Sequence, residues 1–261
     1  MSEELVRVEK DGPVTVVEMH RPEKRNALNG AMVAALRAAL ADAASDPGCR
    51  VVVLTGAGRV FSAGADLAAL EALQSATAEE NLADSEHLAG LFEAIYLHPK
   101  PVIAKINGHA IAGGCGLAAV CDFSIATEEA RLGFTEVRIG FVPAIVMVFV
   151  LRKLGEASAR DLLLRGHLVT AAEAARIGLI TRAVSPEALE AEATTLAREL
   201  ARETSASALA LTKRMLAQVP GMGLKEALDY AARVNALARG TADCRAGIRA
   251  FLDKSDPPWR T

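Results

Sequence analysis

Lys105 to Asp122 reads KINGHAIAGGCGLAAVCD, and its punctuation decides the fold. Val102, Ile103 and Ala104 lead in; Gly108, Gly113, Gly114 and Gly116 break the run; Leu117 to Val120 resumes it towards Asp122. A strand delivered into a tight glycine turn that opens a helix has this pattern. Glycine permits positive φ and close backbone approach. The first N–H groups of a helix lack intrahelical partners and carry the positive end of its dipole. Such a corner can hold an anion, or a developing oxyanion, on backbone donors alone. The same glycines also suit a plainer need, close helix packing, and one glycine motif by itself is weak.

A second corner lies upstream. Val51 to Leu54 is another apolar strand, and GAGRVFSAGADL follows at Gly56 to Leu67, again a glycine-rich turn before a helix-like run. Two corners can each aim one N–H at the same point, the minimal machinery for stabilising a thioester enolate. With both in view, the chain resembles the crotonase family, the enoyl-CoA hydratase/isomerase group. The match is carried by RPEKRNALN (Arg21 to Asn29), FSAGADL (Phe61 to Leu67), NGHAIAGGCGLAAVCDF (Asn107 to Phe123) and FTEVRIGFVP (Phe134 to Pro143). They stand in the family's order and at its spacing. The resemblance implies a spiral of ββα units, with helices used for trimerisation.

Composition sets the outer limits. The 261 residues suffice for one large domain, or one domain with an appendage. At 51% apolar and 23% charged, the chain has ample core material and no disorder signature. A net charge of −3 argues against nucleic acid or an anionic membrane as the main partner. Cys49, Cys115, Cys121 and Cys244 form no CxxC and no Cys/His cluster with zinc spacing, so no metal is expected. Cys115 and Cys121 read as small core residues. The absence of a disulfide framework fits a reducing compartment. The opening MSEELVRVEKDG has no apolar h-region, Val142 to Leu151 is too short to span a bilayer, and DPPWRT carries no peroxisomal address. A soluble, cytoplasmic protein is expected.

Along the chain, Leu5 to Val8 and Val14 to Met19 read as a hairpin about Asp11-Gly12, ended by Arg21-Pro22. Asn29 can cap a helix with Met32, Leu36 and Leu40 on its apolar face. Leu67 to Ser75 reads as helix; Thr77 to Glu86 reads equally as a loop or lid and as a solvated helix face; Leu88 to Leu97 is helical. Helices are expected at Pro143 to Leu154, Ala157 to Leu164 and Ala171 to Arg176, the last capped by Thr170. Strands are expected at Phe123 to Ala126 and Leu179 to Val184. From Pro186 onward the pattern is helical, near 186–203, 205–218, 224–238 and 241–253. No fixed-period repeat is visible. The fold expected is α/β, a crotonase-like spiral core over 1–200, with a helical C-terminal extension over 201–261 that the resemblance assigns to trimerisation.

The resemblance also implies site residues. The backbone N–H groups of Ala65 and Gly113 are the oxyanion-hole donors. Family hydratases usually employ two glutamates; this chain has Glu136 at one position and Gly116 at the other. Lys24, Arg25, Ala27 and Ala63 are implied near coenzyme A, with Lys254 near its 3′-phosphate, from a neighbouring subunit. Asp66 reads as capping the corner or contacting coenzyme A. If the segment after Phe134 is extended, Arg138 points the same way as Glu136 and can read a distal carboxylate; a surface arginine is the plainer reading. His109 reads as a packed core histidine rather than a base. No GxSxG, HExxH or P-loop is present.

Two carboxylates make the addition of water easy to picture, and one suffices to move a double bond. However, TEVRIGFVPA resembles a family branch that hydrates branched or glutaconyl-type acyl-CoAs with a glycine at the position of Gly116. The first expectation is therefore an acyl-CoA hydratase acting on a 2-enoyl-CoA. An enoyl-CoA isomerase and a catalytically silent acyl-CoA-binding protein are the alternatives. No cofactor is implied, since coenzyme A is part of the substrate, and a homotrimer or hexamer is expected.

Overall fold

The computed structural model describes residues 4–260. Strand β1 (Val6–Asp11) turns back antiparallel on β2 (Val14–Met19) about Gly12. Helix α1 (Gly30–Ser45) follows, its first turn held by Asn29, whose Oδ1 accepts from the Met32 N–H at 2.9 Å. Strands β3 (Val51–Gly56) and β4 (Val60–Ser62) lead into α2 (Leu67–Ala72) and α3 (Ala78–Tyr96). Then come β5 (Val102–Ile106), β6 (His109–Ile111) and α4 (Gly113–Val120). A third round is β7 (Phe123–Thr127), β8 (Arg131–Gly133), α5 (Ala144–Lys153) and α6 (Glu156–Arg165). Strand β9 (Leu168–Thr170), helix α7 (Ala171–Arg176) and strand β10 (Arg182–Val184) close the strand-bearing part. Helices α8 (Leu189–Glu203), α9 (Ala206–Gln218), α10 (Leu224–Arg239) and α11 (Ala242–Leu252) complete the chain.

Each round places one strand in a larger sheet and the next in a smaller one. The larger sheet has the order β1-β2-β3-β5-β7-β10 and is parallel except for β1. The smaller has the order β4-β6-β8-β9 and is parallel except for β9. The expected spiral is present. Its repeat is hidden in sequence because the larger-sheet strands begin at Val51, Val102 and Phe123, with unequal helical insertions between them.

The strands of the larger sheet explain their own apolar runs, because both faces are covered. Val52, Leu54, Val102 and Ala104 join a cluster with Met32, Leu36 and Leu40 of α1 and Leu91 and Ile95 of α3. Val51, Val53 and Ile103, on the opposite face, pack against Ala197 and Ala201 of α8. Three lysines hold carbonyls at helix C-termini. The Lys100 ammonium donates to Ala43 in the last turn of α1 and to Asp46 just after it; that of Lys213 donates to Ile95 near the end of α3; that of Lys153 donates to Ala119 at the end of α4.

Two expectations need amendment. Residues 77–86 are no loop: Thr77 and Glu80 form a capping box, so α3 begins ten residues before Leu88 and the solvated-helix reading is the one found. The Asn81 side chain then donates to the carbonyls of Leu73, Ala76 and Thr77, fastening the preceding turn. His109 is exposed at the start of β6, where its Nδ1 accepts from the Arg131 N–H at 3.1 Å, so it is not a core residue. Cys115 and Cys121 are buried as expected.

Packing changes character after α8. Helices α9 and α10 contain no buried residue, and Leu216, Leu224, Leu228, Leu237, Phe251 and Leu252 stand exposed on α9–α11. Among the described residues no helix is long and apolar enough to cross a membrane.

Candidate active site

The first corner is built on a buried asparagine. Arg25 and Asn26 both have φ of 52°, a left-handed conformation that Asn tolerates better than most residues. The Asn26 amide donates to the carbonyls of Ala57 at 2.9 Å and Val60 at 2.8 Å, and its Oδ1 accepts from the Arg21 N–H at 3.0 Å. Ser62 Oγ donates to the Asn26 carbonyl at 2.8 Å. The RPEKRNAL segment is thereby stitched to β4. Beyond it, the Leu28 N–H donates to the Gly64 carbonyl at 2.7 Å and the Asp66 N–H to the Leu28 carbonyl at 2.9 Å. Ala65 is bracketed between these bonds, while its own N–H finds no acceptor among the described residues.

The second corner arrives from β6. Ala112 holds φ 51° and ψ −125°, a region strained for any residue with a Cβ. Its N–H donates to Gly133 at 2.8 Å and its carbonyl accepts from Gly116 at 3.0 Å, which fixes that conformation. Gly113 opens α4, and its N–H is likewise without an acceptor among the described residues. The corners touch. Gly64 has φ 85°, and a Cβ there would lie 2.7 Å from the Ile111 carbonyl oxygen and 3.0 Å from the Gly113 nitrogen. A Cβ on Gly113 would lie 4.0 Å from the Ala65 nitrogen, so two N–H groups without acceptors sit close to each other where the corners meet.

Glu136 starts a 3₁₀ turn, Glu136–Ile139, just after β8. The residue is 8% exposed, and its Oε2 is buried without a hydrogen-bond partner. Burial pushes its pKa up, opposed only by a hydrogen bond from its own N–H. The thiol of Cys115 on α4 is raised chiefly by burial and to a lesser degree by the Glu136 charge.

At the position of the family's other glutamate, a Cβ on Gly116 would collide with Val146 Cγ1 and lie 2.8 Å from the Phe92 ring. Apolar side chains already fill that space. A 3₁₀ turn advances about 120° per residue, so Arg138 departs from Glu136 instead of lying beside it. The extended geometry anticipated for this pair is absent, and Arg138 is exposed with its stem against Gly166.

The remaining candidates divide. Lys24 and Arg25 are exposed beside the first corner, Ala27 is buried, and the Ala63 N–H donates to the Arg25 carbonyl at 2.9 Å. Asp66 caps α2 through the Ala68 N–H at 3.0 Å and pairs with Arg21 at 2.6 Å. Its carboxyl is held low, chiefly by the Arg21 hydrogen bond. Both Asp66 oxygens are therefore engaged within the chain. Lys254 lies apart, exposed at the end of α11, which packs on α9 and α10. Sequence reasoning missed Asn26 and Arg21 as organisers; a buried asparagine inside a charged, proline-containing stretch leaves no periodic trace.

Among the described residues no group of three or more His, Cys, Asp or Glu side chains is placed to hold a metal. Two surface hollows, about 700 Å³ at the start of α10 and about 480 Å³ between α5 and α6, do not include either corner.

A family model described as enoyl-CoA hydratase/isomerase matches residues 9–261. A Thermus thermophilus protein, named provisionally as an enoyl-CoA hydratase, is 50% identical over 253 residues, covering 97% of this chain and 99% of its own. The 2,3-dehydroadipyl-CoA hydratase of Escherichia coli is 35% identical over 257 residues, 97% of each chain. Among solved structures, Pseudomonas aeruginosa AtuE superposes with a TM-score of 0.94 at 34% identity, covering 99% of this chain and 100% of the other.

Proposed function

The chain belongs to the enoyl-CoA hydratase/isomerase family, and from that premise we propose that it adds water reversibly across the double bond of a 2-enoyl-CoA. The observations that carry this reading are two N–H groups without acceptors at adjoining corners, and a Glu136 Oε2 that is buried without a partner. In the proposed reaction, the thioester oxygen accepts from Ala65 and Gly113. Glu136, ionised, takes a proton from water as the water oxygen bonds to the β-carbon and charge moves onto the thioester oxygen. The carboxyl then gives that proton to the α-carbon, the enolate collapses to the thioester, and Glu136 is again a carboxylate. One acid serves both transfers. No metal or redox group takes part, and coenzyme A enters as part of the substrate.

Arg25 and Ala27 are proposed to lie near the pantetheine and phosphates and Ala63 near the adenine, with Lys24, exposed beside the corner, a further candidate for the phosphates. Asp66 contributes by capping and pairing with Arg21. Lys254 would reach a neighbouring subunit's ligand. The uncovered leucines of α9–α11 support assembly into a trimer or a dimer of trimers. Sedimentation is expected to give a multiple of the 27.4 kDa chain mass, three or six; a monomer would contradict it.

Isomerisation is the second reading, favoured by the filled space at Gly116, because one carboxylate suffices to move a proton between carbons. Mass spectrometry separates the two. Incubation with crotonyl-CoA, or with the acid-ended 3-methylglutaconyl-CoA, is expected to yield a product heavier by one water. Failure with both, alongside conversion of a 3-enoyl-CoA without mass change, would replace hydration by isomerisation. Preference for the acid-ended substrate would mark Arg138, exposed on the turn after Glu136, as the group to test for reading its carboxylate.

A further inference from the structure

We propose that Lys153 is a positioning residue for the oxyanion, acting through α4 from the end opposite Gly113. This rests on the reading of Ala65 and Gly113 as oxyanion donors. The Lys153 ammonium donates to the carbonyls of Ala119 at 2.8 Å and Cys121 at 3.2 Å. Among the described residues it has no carboxylate partner: the nearby Asp122 is paired at 2.6 Å with Lys213. The same helix end is closed by Ser124 Oγ on Ala118 and by Cys121 Sγ on Leu117, so α4 is fastened by three side chains.

Charge makes Lys153 different from the other two. Helix α4 has eight residues, about 12 Å of length, and residues 114–120 are buried. In so short a helix the negative pole lies close enough to subtract from the positive pole at Gly113. A full positive charge on that pole reverses its sign at the oxyanion. A unit charge roughly 14 Å away, at an effective dielectric near 20, is worth about five- to tenfold in rate. Burial pulls the Lys153 pKa down, as for a charge withdrawn from water, and the helix carbonyls hold it in place.

Lys153→Gln keeps hydrogen-bond donors and removes the charge; Lys153→Arg keeps both. The probe is a dimethylaminocinnamoyl-CoA thioester, whose absorption moves to the red as its carbonyl is polarised. The expected results are a red shift on the unaltered enzyme, its retention in Lys153→Arg, and a smaller shift in Lys153→Gln. In the last, kcat falls about five- to tenfold at little-changed KM. A folded Lys153→Gln enzyme with the full red shift and full kcat would overturn the proposal. No red shift on the unaltered enzyme would instead overturn the oxyanion-hole reading on which it rests.

If Lys153→Gln does not fold, alkaline titration of the red shift asks the same question. Among the described residues Cys115, Cys121 and Asp122 act electrostatically on Lys153, Lys213 is paired to that Asp122, and burial holds the Cys121 thiol up at about 12. The shift should fade with rising pH in the unaltered enzyme and persist in Lys153→Arg. Identical titrations would overturn the proposal.

Discussion

Glu136→Gln is expected to lower kcat by about a thousandfold while binding of the coenzyme A thioester stays within a few-fold. Glutamine has the same shape and can still fill the same buried space, but it neither takes a proton from water nor returns one to carbon. The same substitution is expected to raise the melting temperature at neutral pH. The Glu136 carboxylate is buried with an unpartnered oxygen, and its folded-state pKa is raised by burial. A carboxyl raised on folding costs nothing below its unfolded pKa, where both states are protonated. Its cost grows as pH rises from the unfolded towards the folded pKa, and is full above the latter. The stability advantage of glutamine should therefore be complete at high pH and vanish in acid. Kinetics and thermal melts across pH read both effects. Unchanged turnover would remove Glu136 from the chemistry.

Gly64→Ala is expected to cost roughly a hundredfold or more in kcat, and it addresses the donors, which no side-chain deletion can reach. The new methyl would sit 2.8 Å from the Ala112 Cβ as well as against the Ile111 carbonyl, at a φ of 85° that alanine resists. Relief requires the corners to move apart, carrying the Ala65 and Gly113 N–H groups away from each other. Circular dichroism and melting separate this from unfolding. A folded Gly64→Ala enzyme with full turnover would show that the convergence of the two corners is not used.

The parts of the fold legible in the sequence are those with a local cause. The buried runs at Val51 and Val102 read as strands because both faces are apolar, and Asn29 and Thr170 announced helix starts because a capping side chain acts within three residues. The corners were legible because glycine marks backbone that cannot be built otherwise. What escaped depends on contacts distant in sequence. Asn26 acts on carbonyls 31 and 34 residues away, and Lys153 on a carbonyl 34 residues back. The geometry of Glu136 and Arg138 turned on one local choice, 3₁₀ against extended, and four residues hold too little pattern to decide it. His109 was misplaced because an apolar neighbourhood in sequence does not say which way a strand residue points.

Whether one carboxylate suffices is read most directly from the pH dependence of kcat/KM for hydration. Glu136 must be ionised to accept the proton from water, and burial raises its pKa, so the rate should fall as pH drops through that raised value. The expected acid limb has a limiting slope of one and is absent from the residual activity of Glu136→Gln. A limiting slope of two, or an acid limb that persists unchanged in Glu136→Gln, would contradict the single-carboxylate mechanism.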